Sequence, residues 1–232
     1  MNIDRRRFIG IGTASLLAGC NAQGPEAARG FLRHAERKNE DVERWLLRHS
    51  SMDQTRGATL AGKAFPKYFI SPQMPVWDAA ARGVWTLHVD GAVSHPARLT
   101  LEQLAALPRR TQTVNNYCVE GWVAAAAWTG VRVSDLAKVV RPAADAQYVD
   151  FASFDSGYHE SWDMESAMHP QTLIAYAMDG RWLGAEHGAP ARLHSPIKLG
   201  YKSTKYLVRV TFLPERNGGY WSDKGYEWFA GT

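Results

Sequence analysis

Hydrophobic rhythm divides the 232-residue chain into unlike stretches. An apolar run from Phe8 to Ala18 follows three arginines, Arg5 to Arg7, and is too short to cross a bilayer as an ordinary helix. Residues 21–30 are small and polar, a tether. Between 30 and 50, Phe31, Leu32, Ala35, Val42, Trp45 and Leu46 form a broken helical stripe in a highly charged sequence. That pattern predicts a peripheral helix with a solvated face. From about 64 the character changes. The proline-punctuated "AFPKYFISPQMPVWDAA" predicts an extended segment pinned by packing. "GVWTLHVDGAV" alternates into a strand ended by Asp-Gly. "LTLEQLAALP" predicts a short helix capped by Thr100. "RTQTVNNYCV" is β-prone and carries Cys118 to a strand end, and "GVRVSDLAKVV" runs from strand to helix with Ser134 as N-cap. "AQYVDFASFDSGYHESWDM" alternates and then turns polar. "HPQTLIAYAMDGRWL" predicts a helix ended by Asp179-Gly180, and Tyr206 to Leu213 a strong strand. Strands and helices mix without a βαβ rhythm, which predicts an α+β fold in a single domain.

Charge and composition alter this picture little. The formal charge is +4, but half of it belongs to the first residues, so nothing asks for nucleic acid. Eighteen tryptophans and tyrosines, nine of each, suggest a heavily packed core or an aromatic-lined pocket. The N-terminus reads as an export signal. Arg5-Arg6-Arg7-Phe8-Ile9 fits a twin-arginine pattern, and Leu17-Ala18-Gly19-Cys20 resembles a lipobox, which would make Cys20 a lipid anchor in the periplasm or cell envelope.

If Cys20 is lipidated, Cys118 is left without an intramolecular partner in an oxidising compartment. Such a thiol is either a small buried hydrophobe or held by something. A second neighbourhood, His187 to Arg192 and Lys198 to Lys205, concentrates cations, glycines and hydroxyls. It suits a phosphate or other anion, although the basic run also reads as a surface hairpin. C-x-x-C, H-E-x-x-H and C-x-x-C-H are absent, so zinc and attached haem are poorly supported. One protein thiolate suffices for a metal when an organic ligand supplies the other donors, as a dithiolene pterin does for molybdenum.

Tyr117-Cys118-Val119-Glu120-Gly121-Trp122, with Ala127-Trp128-Thr129-Gly130-Val131, is very similar to the molybdenum-cysteine segment of the sulfite oxidase-like molybdopterin enzymes. "FASFDSGYHESW", "HPQTLIAYAMDG", "EHGAPARL", "KLGYKSTKYLVRV" and "GGYWSDKGYEW" follow in that family's order. The resemblance runs from about Phe65 to Trp228 and points to the haem-free, single-domain bacterial branch that includes the periplasmic methionine-sulfoxide reductases. It implies a sulfite oxidase-type mixed fold over residues 63–232, after an export signal at 1–19 and a tether and helix at 20–62. It also implies a molybdenum–molybdopterin cofactor with Cys118 as the metal ligand. His187, Arg192, Gly200, Tyr201 and Lys202 match the pterin-phosphate segment, with Lys198 and Lys205 added by proximity. Phe69, Ile70 and Ser71 fall where the N-terminal extended segment meets the pterin, and Ser153 and Asp155 where the chain returns to the pocket. Tyr201, Asp155 and His169 are candidates for proton handling.

The sulfite-oxidising members carry arginines just after the ligand cysteine, where this chain has Val119-Glu120-Gly121-Trp122. That departure favours reduction of an S- or N-oxide over oxidation of sulfite. There is no room for the family's C-terminal dimerisation domain, which implies a monomer. There is also no haem domain, which implies a separate electron-transfer protein, a cytochrome or a membrane haem or quinone subunit. Two rivals stand beside this reading. One is a non-catalytic, anion-binding lipoprotein with an inert Cys118. The other is a thiol enzyme with Cys118 as nucleophile.

Overall fold

The computed structural model describes residues 26–47, 65–155 and 157–232. The residues read as an export signal, Cys20 and residues 21–25 of the predicted tether lie outside them, whereas residues 26–30, also read as tether, are helical, continuous with the proline-free charged run that follows. The chain divides into two compact units, Met1–Leu46 and Leu47–Thr232. Among the described residues at that end, helix α1 (Glu26–Leu47) occupies the predicted peripheral stretch. Asn39 Nδ2 donates to Glu43 Oε1 at 2.9 Å, and Lys38 pairs with Asp41 at 3.8 Å. Both are exposed contacts of small energetic weight.

The second unit is an α+β body of two five-stranded sheets. One sheet runs β2-β1-β10-β5-β6, built from β1 (Thr86–Gly91), β2 (Ala97–Thr100), β5 (Tyr148–Ser153), β6 (His159–Asp163) and β10 (Leu207–Leu213). β1 and β10 pair in parallel, although some 120 residues separate them; the other pairs are antiparallel. The second sheet runs β3-β4-β7-β8, from β3 (Arg109–Tyr117), β4 (Val123–Arg132), β7 (Leu173–Met178) and β8 (Arg181–Trp182), with β9 (Arg192–His194) on β7. Among the described residues four short α-helices fill in: α2 (Ala79–Arg82), α3 (Leu101–Ala105), α4 (Val133–Val140) and α5 (Met164–Met168). Leu87, Val89, Leu136, Phe151, Trp162, Val210 and Phe212 are fully or almost fully buried in one cluster. Each such aliphatic or phenyl side chain contributes about 1.5–3 kcal/mol by leaving water.

Local chemistry explains most boundaries. Thr100 caps α3 as expected, and Gln103 returns the bond to the Thr100 N–H in a capping box. Two expectations fail. α4 begins one residue before Ser134, with Arg132 at the N-cap and no side-chain cap. The Val133 N–H instead donates to Thr172 O at 3.1 Å, so a tertiary bond satisfies one of the donors that a capping serine serves. "HPQTLIAYAMDG" is not a helix but β7. Leu173 to Tyr176 are all buried, and a strand covered on both faces gives the same unbroken apolar run as a buried helix. Asp179 and Gly180, both at positive φ (49° and 76°), form the two-residue turn into β8.

The β3–β4 hairpin sets up the site. It pairs without interruption from Arg109↔Val131 to Tyr117↔Val123. β7 approaches β4 so closely that a Cβ on Gly130 would lie 2.2 Å from Ile174 O. Only glycine permits that packing.

Candidate active site

Cys118 sits at the tip of the β3–β4 hairpin. Its N–H donates to Trp122 O at 3.0 Å, and the Gly121 N–H donates to Cys118 O at 2.9 Å. Gly121 takes φ 83°, a conformation that favours glycine. This closed turn presents the half-buried Cys118 sulfur to a cleft of about 290 Å³. Burial pushes the Cys118 thiol up, and the Glu120 carboxylate pushes it further; the Glu120 and Val119 N–H groups act the other way. A nucleophilic cysteine needs the reverse, a depressed pKa. Among the described residues no histidine lines the cleft to serve as its base, so the thiol-enzyme reading loses its support, and the sulfur's place on a cleft wall removes the inert-core reading.

The same cleft is bordered by Arg192, the first residue of β9. Arg192 is buried, lies 4.9 Å over the Trp128 ring, and donates to the carbonyls of Leu193 (3.3 Å) and His187 (3.1 Å). Among the described residues no carboxylate pairs with it, and burial lowers it to about 10. Lys205 also lines the cleft. It donates to Tyr68 O at 2.5 Å and Glu186 O at 3.1 Å, and burial, with repulsion from Arg192, pulls it down to about 7. Gly188 makes room for its stem: at φ 99°, a Cβ there would lie 2.8 Å from Lys205 Cβ. Two further polar atoms have no partner among the described residues, the buried Tyr206 hydroxyl on the cleft wall and His187 Nδ1.

An extended strap, residues 65–71, crosses this region. Phe65 meets Trp122, Trp128 and His187 edge-on. Tyr68 stacks on Trp122 and donates its hydroxyl to Glu120 at 2.9 Å. The Ile70 N–H and the Ser71 hydroxyl both donate to Asp155. Phe69, Ser153, Asp155, Gly200 and Tyr201 line the cleft together with Cys118.

A buried cation without a carboxylate, an unpaired buried hydroxyl and a half-buried sulfur on one cleft fit a group that offers both an anion and a metal; His187, expected at the cofactor, is not part of that lining. Residues 73–221 match the family described as oxidoreductase molybdopterin binding domain. The chain belongs to that family. It is 36% identical over 229 residues to the putative protein-methionine-sulfoxide reductase subunit YedZ1 of Azospira oryzae, a match covering 98% of this chain and 86% of that one. It is 33% identical over 154 residues to the protein-methionine-sulfoxide reductase catalytic subunit MsrP of Pseudomonas syringae, and 29% identical over 153 residues to that of Campylobacter jejuni. Each match covers 59% of this chain, but only 46% and 52% of the respective MsrP chain. The fold is also that of the sulfane dehydrogenase SoxCD of Paracoccus pantotrophus, with TM-score 0.58, 17% identity, and 72% of this chain and 57% of that one covered.

As a molybdopterin-binding oxidoreductase, the chain departs from expectation at several cations and acids. Lys202 does not face the cleft. Its ammonium is buried 2.6 Å from Glu160 Oε2 and 3.2 Å from Ser161 O. Lys198 is turned inward too, donating to Phe229 O at 2.7 Å and lying 3.7 Å from Asp163. The tight turn at Gly200–Lys202 explains this: Gly200, Tyr201 and Ser203 border the cleft while the Lys198 and Lys202 side chains turn inward and anchor the loop. Tyr201 donates its hydroxyl to Glu227 O at 2.6 Å, and its own carbonyl accepts from Tyr158. Asp155 holds the strap. His169 follows α5, and its Nδ1 accepts from the Gln171 N–H at 3.2 Å, a turn-forming role.

Sequence reasoning missed Asn116, Tyr158, Tyr206 and His194. Asn116 lines the cleft and bonds His194 Nε2 at 2.6 Å, while His194 stacks on Trp128. Burial and the nearby Arg192 hold His194 well below the usual imidazole range. The pairing spans 78 residues, so no local motif announces it.

Proposed function

We propose that this chain reduces methionine S-oxides in the periplasm, using a molybdenum–molybdopterin group held through Cys118. The carrying observation is the shared cleft: a half-buried sulfur and a buried arginine with no acidic partner among the described residues. The names of its relatives supply the substrate. The cofactor, when bound, supplies two-electron oxygen-atom exchange.

The chain's own residues supply the rest. Cys118 provides a soft ligand on a rigid hairpin tip. Arg192 and Lys205 would hold the anionic part of the group, and the Tyr206 hydroxyl and His187 Nδ1 would be available to donate or accept hydrogen bonds. The strap, pinned at Glu120, Lys205 and Asp155, forms part of the cleft wall. Removing oxygen from an S-oxide consumes two electrons and two protons and yields a thioether and water. Electrons come from a separate redox protein, a cytochrome or a membrane haem or quinone subunit. The chain acts as a monomer, exported by the twin-arginine route and held to the envelope through lipid on Cys20. Glu120, and no arginine, follows Cys118 into the cleft, which disfavours sulfite.

Protein isolated from a molybdenum-replete host should contain equimolar molybdenum and lose it in Cys118→Ser. With a dye electron donor it should reduce methionine S-oxide faster than N-oxides, and leave sulfite untouched. Absence of molybdenum, or molybdenum retained in Cys118→Ser, would overturn the reading.

A further inference from the structure

The charges lining the cleft are unevenly accessible. Arg192 is buried, and Lys205 is committed to two carbonyls. Of the two lining carboxylates, Asp155 is buried and occupied by the strap. Glu120 alone of these four is exposed, two residues beyond the sulfur ligand. Its donors are both neutral: the Tyr68 hydroxyl at 2.9 Å and Trp122 Nε1 at 3.2 Å, each to Oε2. A carboxylate bonded only by neutral donors keeps its negative field, whereas a paired lysine or arginine would cancel it. Exposed Lys67 lies one residue from Tyr68 but is not part of the lining.

The cleft that Glu120 lines is also bordered by aromatic rings open to solvent, Tyr68 in direct contact with Glu120. Tyr68, Phe69 and Tyr226 are 52%, 39% and 42% exposed. Aromatic faces attract ammonium and guanidinium groups, and a carboxylate among them adds direct attraction. Oxyanions and acidic segments meet repulsion at the same place.

We propose that Glu120 and this aromatic rim select S-oxides by charge, favouring a methionine S-oxide flanked by lysine or arginine over one flanked by acidic residues. This rests on the reductase reading above and adds the context in which the substrate is presented. Glu120 acts as a specificity determinant.

Three peptides differing only in the residues flanking a central methionine S-oxide (lysine, glycine or glutamate) provide the test, with the holoenzyme and a dye donor. At low salt kcat/KM should fall in that order, with on the order of tenfold between the lysine and glutamate peptides, because attraction is replaced by repulsion. The spread should shrink as salt is added. In Glu120→Gln the ratio should collapse towards one, whatever the variant's absolute rate. A ratio near one in the native enzyme, or one unchanged in Glu120→Gln, overturns the proposal. Titration of the corresponding reduced methionine peptides, followed by tryptophan fluorescence through Trp122, measures the same preference without turnover. If no peptide is reduced but the lysine form still binds best, the reductase reading fails and the charge selection stands.

Discussion

Lys202 Nζ lies 2.6 Å from Glu160 Oε2, with both side chains essentially inaccessible to solvent. Glu160 also accepts from the Trp221 N–H at 3.2 Å, and Trp162 Nε1 donates to Lys202 O at 3.2 Å. The pair thus ties the loop carrying Gly200 and Tyr201 to the C-terminal aromatic segment. Burial lowers Lys202 and raises Glu160 against their mutual attraction, so each charge depends on its partner. Glu160→Ala should cost about 3–5 kcal/mol, since it strands a buried ammonium, and the double replacement Lys202→Met with Glu160→Leu should recover most of that. Denaturant unfolding of both variants checks this; equal losses in the single and double variants would show that the ion pair is not the source.

That pair also shows where sequence reading stops. "KLGYKSTK" announces a cluster of cations, but which of them meet an anion depends on partners elsewhere in the chain. Glu160 is 42 residues before Lys202, on a strand whose polar sequence, His159–Asp163, gives no sign that four consecutive residues are buried. Cys118 was legible because its hairpin is local, with a β-prone strand and a glycine at the turn. Arg192 was legible as one of a cluster of cations, and the strap residue Phe69 only through resemblance. β7 was misread because a strand buried on both faces loses the alternation that identifies strands. The α+β class followed from the mixture of short elements, whereas the parallel β1–β10 pairing could not, because it joins distant segments.

Asp155 anchors the strap through the Ile70 N–H, at 3.1 Å, and the Ser71 hydroxyl. Losing a hydrogen bond to a charged group costs about 1.5–3 kcal/mol, a cost borne here by strap closure rather than by the core. Asp155→Ala should therefore speed tryptic cleavage after Lys67 about tenfold or more, with little change in global unfolding, and should hasten cofactor loss. Ser71→Ala should do the same more weakly. Limited proteolysis under native conditions measures both; an unchanged rate at Lys67 in Asp155→Ala would mean the aromatic contacts alone hold the strap.

Lys205 is lowered to about 7 by burial and by Arg192. In cofactor-free protein its positive charge is present below that pH and lost as pH rises through it. Anion affinity should follow. Sulfate suits as probe, since its own charge does not change near neutrality. His187 is pushed below its ordinary 6.5 and is mainly neutral over the same interval. Calorimetric titration should show sulfate binding weaken as pH rises through about 7, and Lys205→Met should bind weakly with no such step. A native profile that stays flat would remove Lys205 from the anion site.

Tyr201 separates a strut from a proton donor. Its hydroxyl is 2.6 Å from Glu227 O, and its ring meets Tyr226 edge-on. A phenol already donating to a backbone carbonyl cannot give that hydrogen bond to substrate without breaking the contact between the Gly200–Lys202 turn and the C-terminal segment. Tyr201→Phe keeps the ring and removes only the bond. Its expected effects are a loss of about 1 kcal/mol in stability, the ordinary net value of one such bond, and a pH profile of kcat in the same position as the native enzyme's. If Tyr201 were the proton donor, kcat would instead fall by about 100-fold or more and the limb of the profile belonging to the acid would vanish. Thermal unfolding and a kcat–pH series on the holoenzyme distinguish the two outcomes, because only the donor role couples the hydroxyl to the pH dependence of turnover.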